Sequence, residues 1–440
     1  MRRFRIEPGG HLQGEVQVPG DKSVSHRAVM FAALASGTTR VTGFLESADC
    51  LATLAAFAAM GVAHRREGNA LVIDGVGLHG LQAPDAPLDL GNAGTSMRLL
   101  SGLMAGQAFD SVLTGDASLS RRPMARVIEP LTRMGADIRG DAAGRAPLHI
   151  RGGRPLRGIT YRPPVASAQI KSCVLLAGLY ADGETRIEEP GVSRDHTERM
   201  LAAFGVPLRR GDRRVALQPV ERLRAADVAV PADLSSAAFF MVAASIAPDS
   251  ELRLPGVGIN PTRRGVIDIL LAMGADIVLG NEREQAGEPV ADIRVRSAPL
   301  KGIAIGGDQV ELAIDEFPAI FIAAACAEGT TRLTGAAELR VKESDRIAVM
   351  ADGLATLGVD VTVAEDGLTI VGRPQAPSFG GGHVASHADH RIAMAFAIAA
   401  LRADAAITID DCDYVDTSFP GFVSVAAEAG LAIRSERAAS

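Results

Sequence analysis

Tryptophan is missing from this 440-residue chain, and with 3 Tyr and 14 Phe the aromatic share is only 4%. Proteins that stack single-stranded bases need exposed aromatic platforms, so that class of binding is disfavoured. A basic excess is missing too: 45 Lys and Arg face 52 Asp and Glu, a formal charge of −7. Nucleic acid and anionic lipid surfaces recruit proteins through cationic excess, so neither is an expected partner. Long apolar runs are also lacking. The longest, 317–327 and 392–401, hold 11 and 10 residues, against about 18 for a bilayer span. The opening Met1-Arg2-Arg3-Phe4-Arg5-Ile6-Glu7 shows no apolar core of a secretory leader. A soluble, cytoplasmic protein is the expectation. Cysteines are few, and Cys50, Cys173, Cys326 and Cys412 have no paired spacing for zinc or a redox dithiol. Cys173 and Cys326 sit in Ala- and Leu-rich runs, which predicts buried structural thiols.

What the chain does have is an ordinary globular balance, 47% hydrophobic and 22% charged, at a length that implies two or three domains. It also has a repeat. An apolar residue followed by Gly and a short strand-like run recurs at Met60-Gly61, Met134-Gly135, Phe204-Gly205, Met273-Gly274, Leu357-Gly358 and Ala429-Gly430, with successive glycines 69 to 84 residues apart. Each Gly reads as the residue just past a helix, where a left-handed backbone costs glycine nothing. A second, Ala-rich helix is expected earlier in each unit, over 28–35, 97–105, 170–179, 237–246, 319–327 and 392–401. These stretches are apolar nearly all round, which predicts burial. Strand-like runs such as Thr330–Gly335 and Gly367–Val371 separate and follow the helices. Six strand–helix–strand–helix–strand–strand units predict an α/β chain of two domains, three units each, with an open solenoid as the alternative.

The residues opening the first helix of each unit are unusual: Gly20-Asp21-Lys22-Ser23-Val24-Ser25-His26-Arg27, Gly91-Asn92-Ala93-Gly94-Thr95-Ser96-Met97-Arg98, Ala166-Ser167-Ala168-Gln169, Asp233-Leu234-Ser235, Asp315-Glu316 and His387-Ala388-Asp389-His390-Arg391. Loops before the second helices carry Arg121-Arg122, Ser193-Arg194, Arg263-Arg264 and Arg340-Val341-Lys342-Glu343-Ser344-Asp345-Arg346. A cation at a helix N-terminus opposes the dipole, at about 0.3–1 kcal/mol each. A bound anion reverses that cost, because free backbone N–H groups and cations then converge on it. Solvated surface charge over ordinary caps is the alternative for any single loop. Asp315 and Glu343 suit acid–base chemistry, with plain capping as the alternative for Asp315. His383, His387 and His390 lack a partner that completes a metal-ligand spacing.

These helix starts, in this order, closely resemble the 5-enolpyruvylshikimate-3-phosphate synthase family over essentially the whole chain. Ala166–Ser172 and Ser193–Thr197 are similar to the family's second class. The resemblance implies the enolpyruvyl transferase fold, two domains of three βαβαββ units each that close over the substrates. Domains would span 20–234 and 1–19 with 235–440, hinged near Gly20 and 232–236. The implied reaction transfers the enolpyruvyl group of phosphoenolpyruvate to the 5-hydroxyl of shikimate 3-phosphate and releases phosphate, with no cofactor or metal. Carried over, Ser23, Arg27, Ser167, Gln169 and Arg194, with Asp315 and Lys342, would hold shikimate 3-phosphate. Lys22, Gly94, Arg122, Gln169, Arg346 and Arg391 would hold phosphoenolpyruvate. Asp315 would take the proton of the attacking hydroxyl, and Glu343 would protonate the methylene carbon. Lys342 and Lys22 would assist. A monomer is implied, with glyphosate as inhibitor.

Two departures stand out. Ala168 occupies a position where many members carry a second Ser, and Thr417 precedes Ser418-Phe419-Pro420 where many have Lys. Gly94 is kept, whereas glyphosate-tolerant second-class members have Ala there. The rival is UDP-N-acetylglucosamine enolpyruvyl transferase, which shares the fold. Its usual Cys in the loop matching 117–122 is absent here, and its Lys-Asn pair is Lys22-Ser23.

Overall fold

All six glycines of the repeated phrase adopt a positive φ, from +84° at Gly205 and Gly358 to +118° at Gly430. Any other residue would be strained there, so glycine terminates six helices: Ala48–Ala59, Ala125–Arg133, His196–Ala203, Gly265–Ala272, Arg346–Thr356 and Phe422–Ala429. In this computed structural model, which describes residues 2–437, the other six repeated helices are Lys22–Leu34, Gly94–Ala105, Ala168–Gly178, Leu234–Ile246, Phe317–Ala325 and His390–Ala399. They begin two to six residues before the apolar pattern does. In most of them the reason is that polar opening residues are themselves helical, and many are buried. Helix Phe317–Ala325 instead opens on Phe317 and Pro318.

Each unit contributes one small sheet, in which two parallel strands adjoin an antiparallel pair. Thus Leu88–Asp89 runs parallel to Ser111–Thr114, which pairs antiparallel with Leu148–Arg151, itself antiparallel to Asp137–Arg139. Three sheets are completed by strands remote in sequence. Leu223–Arg224 and Val228–Ala229 join Ala35–Thr42, Gln13–Glu15 joins Glu251–Gly258, and Arg2–Ile6 lies between Ile407–Asp410 and Ile433–Arg437.

The chain forms two compact units. The first comprises Gly20–Pro231 with Glu284–Glu288, and the second the remaining described residues. Inside the first, three Ala-rich helices share a core with Phe31, Phe57, Leu100 and Phe204. The second has its own core around Phe4, Phe240, Phe321 and Phe396. All four cysteines are buried free thiols, and burial pushes Cys326 up to about 11 and Cys50 up to about 12. Among the described residues no helix is long and apolar enough to cross a membrane.

Close helix approach positions the site-bearing helix starts. A β-carbon at Gly102 would lie 2.1 Å from the carbonyl oxygen of Cys173, so helices Gly94–Ala105 and Ala168–Gly178 meet backbone to backbone. The variant Gly102→Ala is expected to lose about 1–3 kcal/mol of stability through overpacking. Its urea or thermal midpoint should fall, and a midpoint equal to wild type would contradict this packing.

Candidate functional site

Helix Lys22–Leu34 opens on Asp21, whose carboxylate accepts from the Val24 N–H at 2.9 Å. No acidic residue lies in its first turn. Lys22 instead pairs with Asp49, a buried residue of the next helix. Arg27 is 3% exposed. It donates to Thr197 Oγ1 at 2.7 Å, Ser172 Oγ at 3.0 Å and the Ser23 carbonyl at 2.9 Å. These acceptors satisfy its N–H groups without neutralising its charge. Burial draws the guanidinium down to about 10, against the opposing pull of Glu198, Asp21 and Glu288, and the positive charge of Arg194 lowers it further. Arg27 and Arg194 therefore share one electrostatic neighbourhood, and Arg27 is still a cation at neutral pH.

Helix Gly94–Ala105 begins without a side-chain cap. Arg98 Nη1 donates to Gln169 Oε1 at 2.7 Å, and Gln169 Nε2 donates to Thr95 Oγ1 at 3.1 Å. Arg122 Nη2 donates to Asn92 Oδ1 at 2.6 Å. Gly94 lies against both arginines, since a β-carbon there would be 3.0 Å from Arg122 Nη1 and 3.4 Å from Arg98 Nη1. Ser167 caps helix Ala168–Gly178, accepting from the Ile170 N–H at 3.4 Å.

In the second unit the centre is Arg346, the largest fully buried side chain among the described residues. Its Nε donates to Asp389 Oδ2 at 2.8 Å, its Nη1 to Asp315 Oδ1 at 3.4 Å and its Nη2 to Glu343 Oε2 at 2.6 Å. Burial works against this charge, but Asp389, Glu343 and Asp315 outweigh it and hold the guanidinium above its usual range. Lys342 Nζ and Arg391 Nη2 each stand 4.0 Å from an Asp315 oxygen. Burial pulls Lys342 below the ordinary lysine value, with Asp315 opposing. Arg391 Nη1 also donates to the Asp315 carbonyl at 2.9 Å. Asp315 is not a cap: helix Phe317–Ala325 has Glu316 at its cap position, with no side-chain cap bond.

The structure thus groups Ser23, Arg27 and Arg194, groups Gly94, Arg122 and Gln169 around Arg98, and gathers Asp315, Lys342, Glu343 and Arg391 around Arg346. Lys22 is held by Asp49, and Ser167 by its own helix. Sequence reasoning missed Asp389, although it stands in the quoted His387–Arg391 stretch. It caps helix His390–Ala399 and anchors Arg346. The residues before it, His387 and Ala388, have φ of +51° and +59°, an unusual run for side chains other than glycine. Thr197, Ser172 and Asp49 were missed as well. Arg263, expected as an anion ligand, is buried and bonded to Asp233 Oδ1 at 2.8 Å and Ser235 Oγ at 2.5 Å. Among the described residues no three His, Cys, Asp or Glu side chains gather as a metal site, His383, His387 and His390 included.

A family model described as EPSP synthase (3-phosphoshikimate 1-carboxyvinyltransferase) matches residues 6–425. The 3-phosphoshikimate 1-carboxyvinyltransferase of Alkalilimnicola ehrlichii is 64% identical over 431 residues, 98% of this chain and 96% of its own. That of Methylococcus capsulatus is 62% identical over 432 residues, 98% of each chain. The chain belongs to the EPSP synthase family. Among solved structures, EPSP synthase from Acinetobacter baumannii matches with a TM-score of 0.90 at 55% identity, covering 99% of this chain and 100% of that one. The enolpyruvyl transferase NikO of Streptomyces tendae shares the fold, with a TM-score of 0.81 at 20% identity over 100% and 99% of the two chains. The UDP-N-acetylglucosamine alternative is therefore a distant relative only.

The first helix of this EPSP synthase family member also encloses a histidine. His26 is fully buried, with Nδ1 2.8 Å from Thr53 Oγ1 and 3.0 Å from Ser96 Oγ. Burial, then Lys22 and Arg27, holds it well below 6.5. The unfolded chain takes up a proton near 6.5 that the folded chain refuses. Stability is therefore full above that pH and is lost as pH falls below it, by up to about 1.4 kcal/mol per unit. Urea midpoints at pH 7 and 5 should diverge more for wild type than for His26→Gln. Equal slopes in both proteins would exclude this role.

Proposed function

We infer that this EPSP synthase family member transfers the enolpyruvyl group of phosphoenolpyruvate to the 5-hydroxyl of shikimate 3-phosphate and releases phosphate, a step towards aromatic amino acids. One observation carries the reading: two carboxylates, Asp315 and Glu343, share the Arg346 guanidinium, with Lys342 and Arg391 within 4.0 Å of Asp315. Addition followed by elimination needs a base for the hydroxyl and an acid for the methylene carbon.

Asp315 would accept the 5-hydroxyl proton as its oxygen bonds to C2 of phosphoenolpyruvate. Glu343, in its acid form, would protonate the methylene carbon in the same addition, giving a tetrahedral intermediate. Glu343, now a carboxylate, would take a proton back from the new methyl group as the double bond reforms and phosphate leaves with the proton held by Asp315. Lys342 is poorly stabilised as a cation, so it exchanges protons more readily than an exposed lysine, and with Lys22 it would assist.

Ser23, Arg27, Ser167, Gln169 and Arg194, with Asp315 and Lys342, would hold shikimate 3-phosphate. Support comes from Arg27, whose charge meets only hydroxyls and a carbonyl at hydrogen-bond range. Lys22, Gly94, Arg122, Gln169, Arg346 and Arg391 would hold phosphoenolpyruvate. Arg346 is so enclosed that Asp315 or Glu343 must yield for it to do so. In this reading the domains are 20–234 and 1–19 with 235–440, and two of the chain's four passages between compact units, at Pro19–Gly20 and Pro231–Ala232, support hinges there. The protein would act as a cytoplasmic monomer, independent of nucleic acid and membranes.

Phosphate release from phosphoenolpyruvate should require shikimate 3-phosphate, and Asp315→Asn and Glu343→Gln should each lower kcat by about 100-fold or more. Release that ignores shikimate 3-phosphate, or full turnover in both variants, would refute the assignment. Glyphosate is expected to inhibit in the micromolar range, in competition with phosphoenolpyruvate, because Gly94 adds no methyl beside Arg122. Weak inhibition at millimolar glyphosate would count against that expectation.

A further inference from the structure

Helices Ala168–Gly178 and His196–Ala203 enclose a lysine that the proposed chemistry does not use. Lys171 is 2% exposed, and its Nζ stands 2.8 Å from Glu189 Oε2 and 2.8 Å from Glu198 Oε1. It also donates to the Ser193 carbonyl at 3.4 Å, while Ser193 Oγ donates to Glu189. Burial would strip its proton, but Glu198 and Glu189 hold its affinity for that proton above the ordinary lysine value. A buried ammonium with two carboxylates is a costly way to fill space, since apolar side chains of similar volume often stabilise as well or better.

Its location supplies a reason. Next to Lys171, Ser172 Oγ accepts from Arg27 at 3.0 Å. Next to Glu198, Thr197 Oγ1 accepts from Arg27 at 2.7 Å, and the two hydroxyls lie 2.6 Å apart. The Lys171–Glu198 pair therefore repeats, one residue over, the link that seats Arg27. Through Glu189 and the Ser193 carbonyl, the same ammonium ties down the residue before Arg194. A second buried pair, His196 Nδ1 with Glu288 Oε1 at 2.8 Å, fixes the start of helix His196–Ala203. A phosphate shared by two guanidiniums needs their separation held, because small misplacements of binding groups are costly.

We propose that Lys171, with Glu189 and Glu198, is a positioning residue for the shikimate 3-phosphate site, setting the placement of Arg27 relative to Arg194 without touching substrate. The proposal rests on the functional reading above. It is tested with the neutralised variant Lys171→Met/Glu189→Gln/Glu198→Gln, which leaves no buried charge of the three unbalanced, with thermal unfolding to confirm the fold. The KM for shikimate 3-phosphate should rise about tenfold or more, while kcat and the KM for phosphoenolpyruvate move less than about threefold. Electrostatics alone predicts the opposite, since the variant removes more negative than positive charge beside Arg27.

A folded variant with an unchanged or lowered KM for shikimate 3-phosphate, or with equal rises in both KM values, overturns the proposal. If the triple variant does not fold, Glu189→Gln is the substitute. It keeps the Lys171–Glu198 pair, and a smaller selective rise supports the proposal while wild-type KM values overturn it. Calorimetry of shikimate 3-phosphate alone separates the two readings. A wild type that binds it but turns over no phosphoenolpyruvate sinks the assigned reaction, while the variant's Kd still judges Lys171.

Discussion

A guanidinium withdrawn from water must have its charge paired or its N–H groups hydrogen-bonded, and Arg346 is withdrawn almost completely. Asp389, Asp315 and Glu343 surround it, Lys342 and Arg391 approach Asp315 in turn, and Glu316 stands 3.8 Å from Arg391. The carboxylates are not equivalent. Asp389 is wholly buried, while the side chains of Asp315 and Glu343 keep 18% and 24% exposure. Asp389 is therefore the permanent anchor, because leaving would strand two buried charges. Asp315 and Glu343 touch both the guanidinium and the outside, which is the condition a proton-transferring group must meet. The position of Asp389 depends in turn on its cap bond to the Arg391 N–H and on the left-handed turn through His387 and Ala388.

The first unit solves the opposite problem. Arg27 is nearly as buried as Arg346, yet its N–H groups are directed to Thr197, Ser172 and the Ser23 carbonyl. Hydroxyls and a carbonyl supply geometry without an ion pair at hydrogen-bond range, while Glu198, Asp21 and Glu288 act on the charge electrostatically. The contrast in proton affinity follows from this. Carboxylates hold Arg346 above its usual range, whereas burial and Arg194 bring Arg27 down to about 10. One arginine is tied into its own framework. The other is held by hydroxyls and a carbonyl.

The sixfold architecture could be read before any coordinates because it is a local signal. A helix that ends in a left-handed glycine, and an Ala-rich helix apolar on every side, each leave a trace within a dozen residues. The strands that complete three of the sheets leave none. Arg2–Ile6 finds its place beside Ile407–Asp410 through pairing across the whole chain, which no periodicity announces. The site divides along the same line. Lys22, Arg27, Asp315, Glu343 and Arg391 stand out as charges in unusual local settings. Asp49, Thr197 and Asp389 matter through partners 27, 170 and 43 residues away, and an isolated Asp or Thr carries no such information. The same limit explains Arg263: its sequence setting looks like that of Arg122, but Asp233 and Ser235 absorb it.

Cations at helix N-termini suggested bound anions, and the structure narrows where that argument applies. Asp21, Asp233 and Asp389 cap three of the six Ala-rich helices with carboxylates, and Glu316 stands at the cap position of a fourth. At those ends the protein already supplies negative charge against the dipole, so a nearby Lys or Arg needs no ligand to be tolerated. Helices Gly94–Ala105 and Ala168–Gly178 differ. The first has no side-chain cap and the second only the Ser167 hydroxyl, yet Arg98 reaches from one to Gln169 of the other, and Arg122 lies over Gly94. Neither of these helix starts has a carboxylate cap, and the bare Gly102 contact brings the two helices together. At these two starts the dipole argument for an anion keeps its force, whereas at the four with a carboxylate at the cap position it does not.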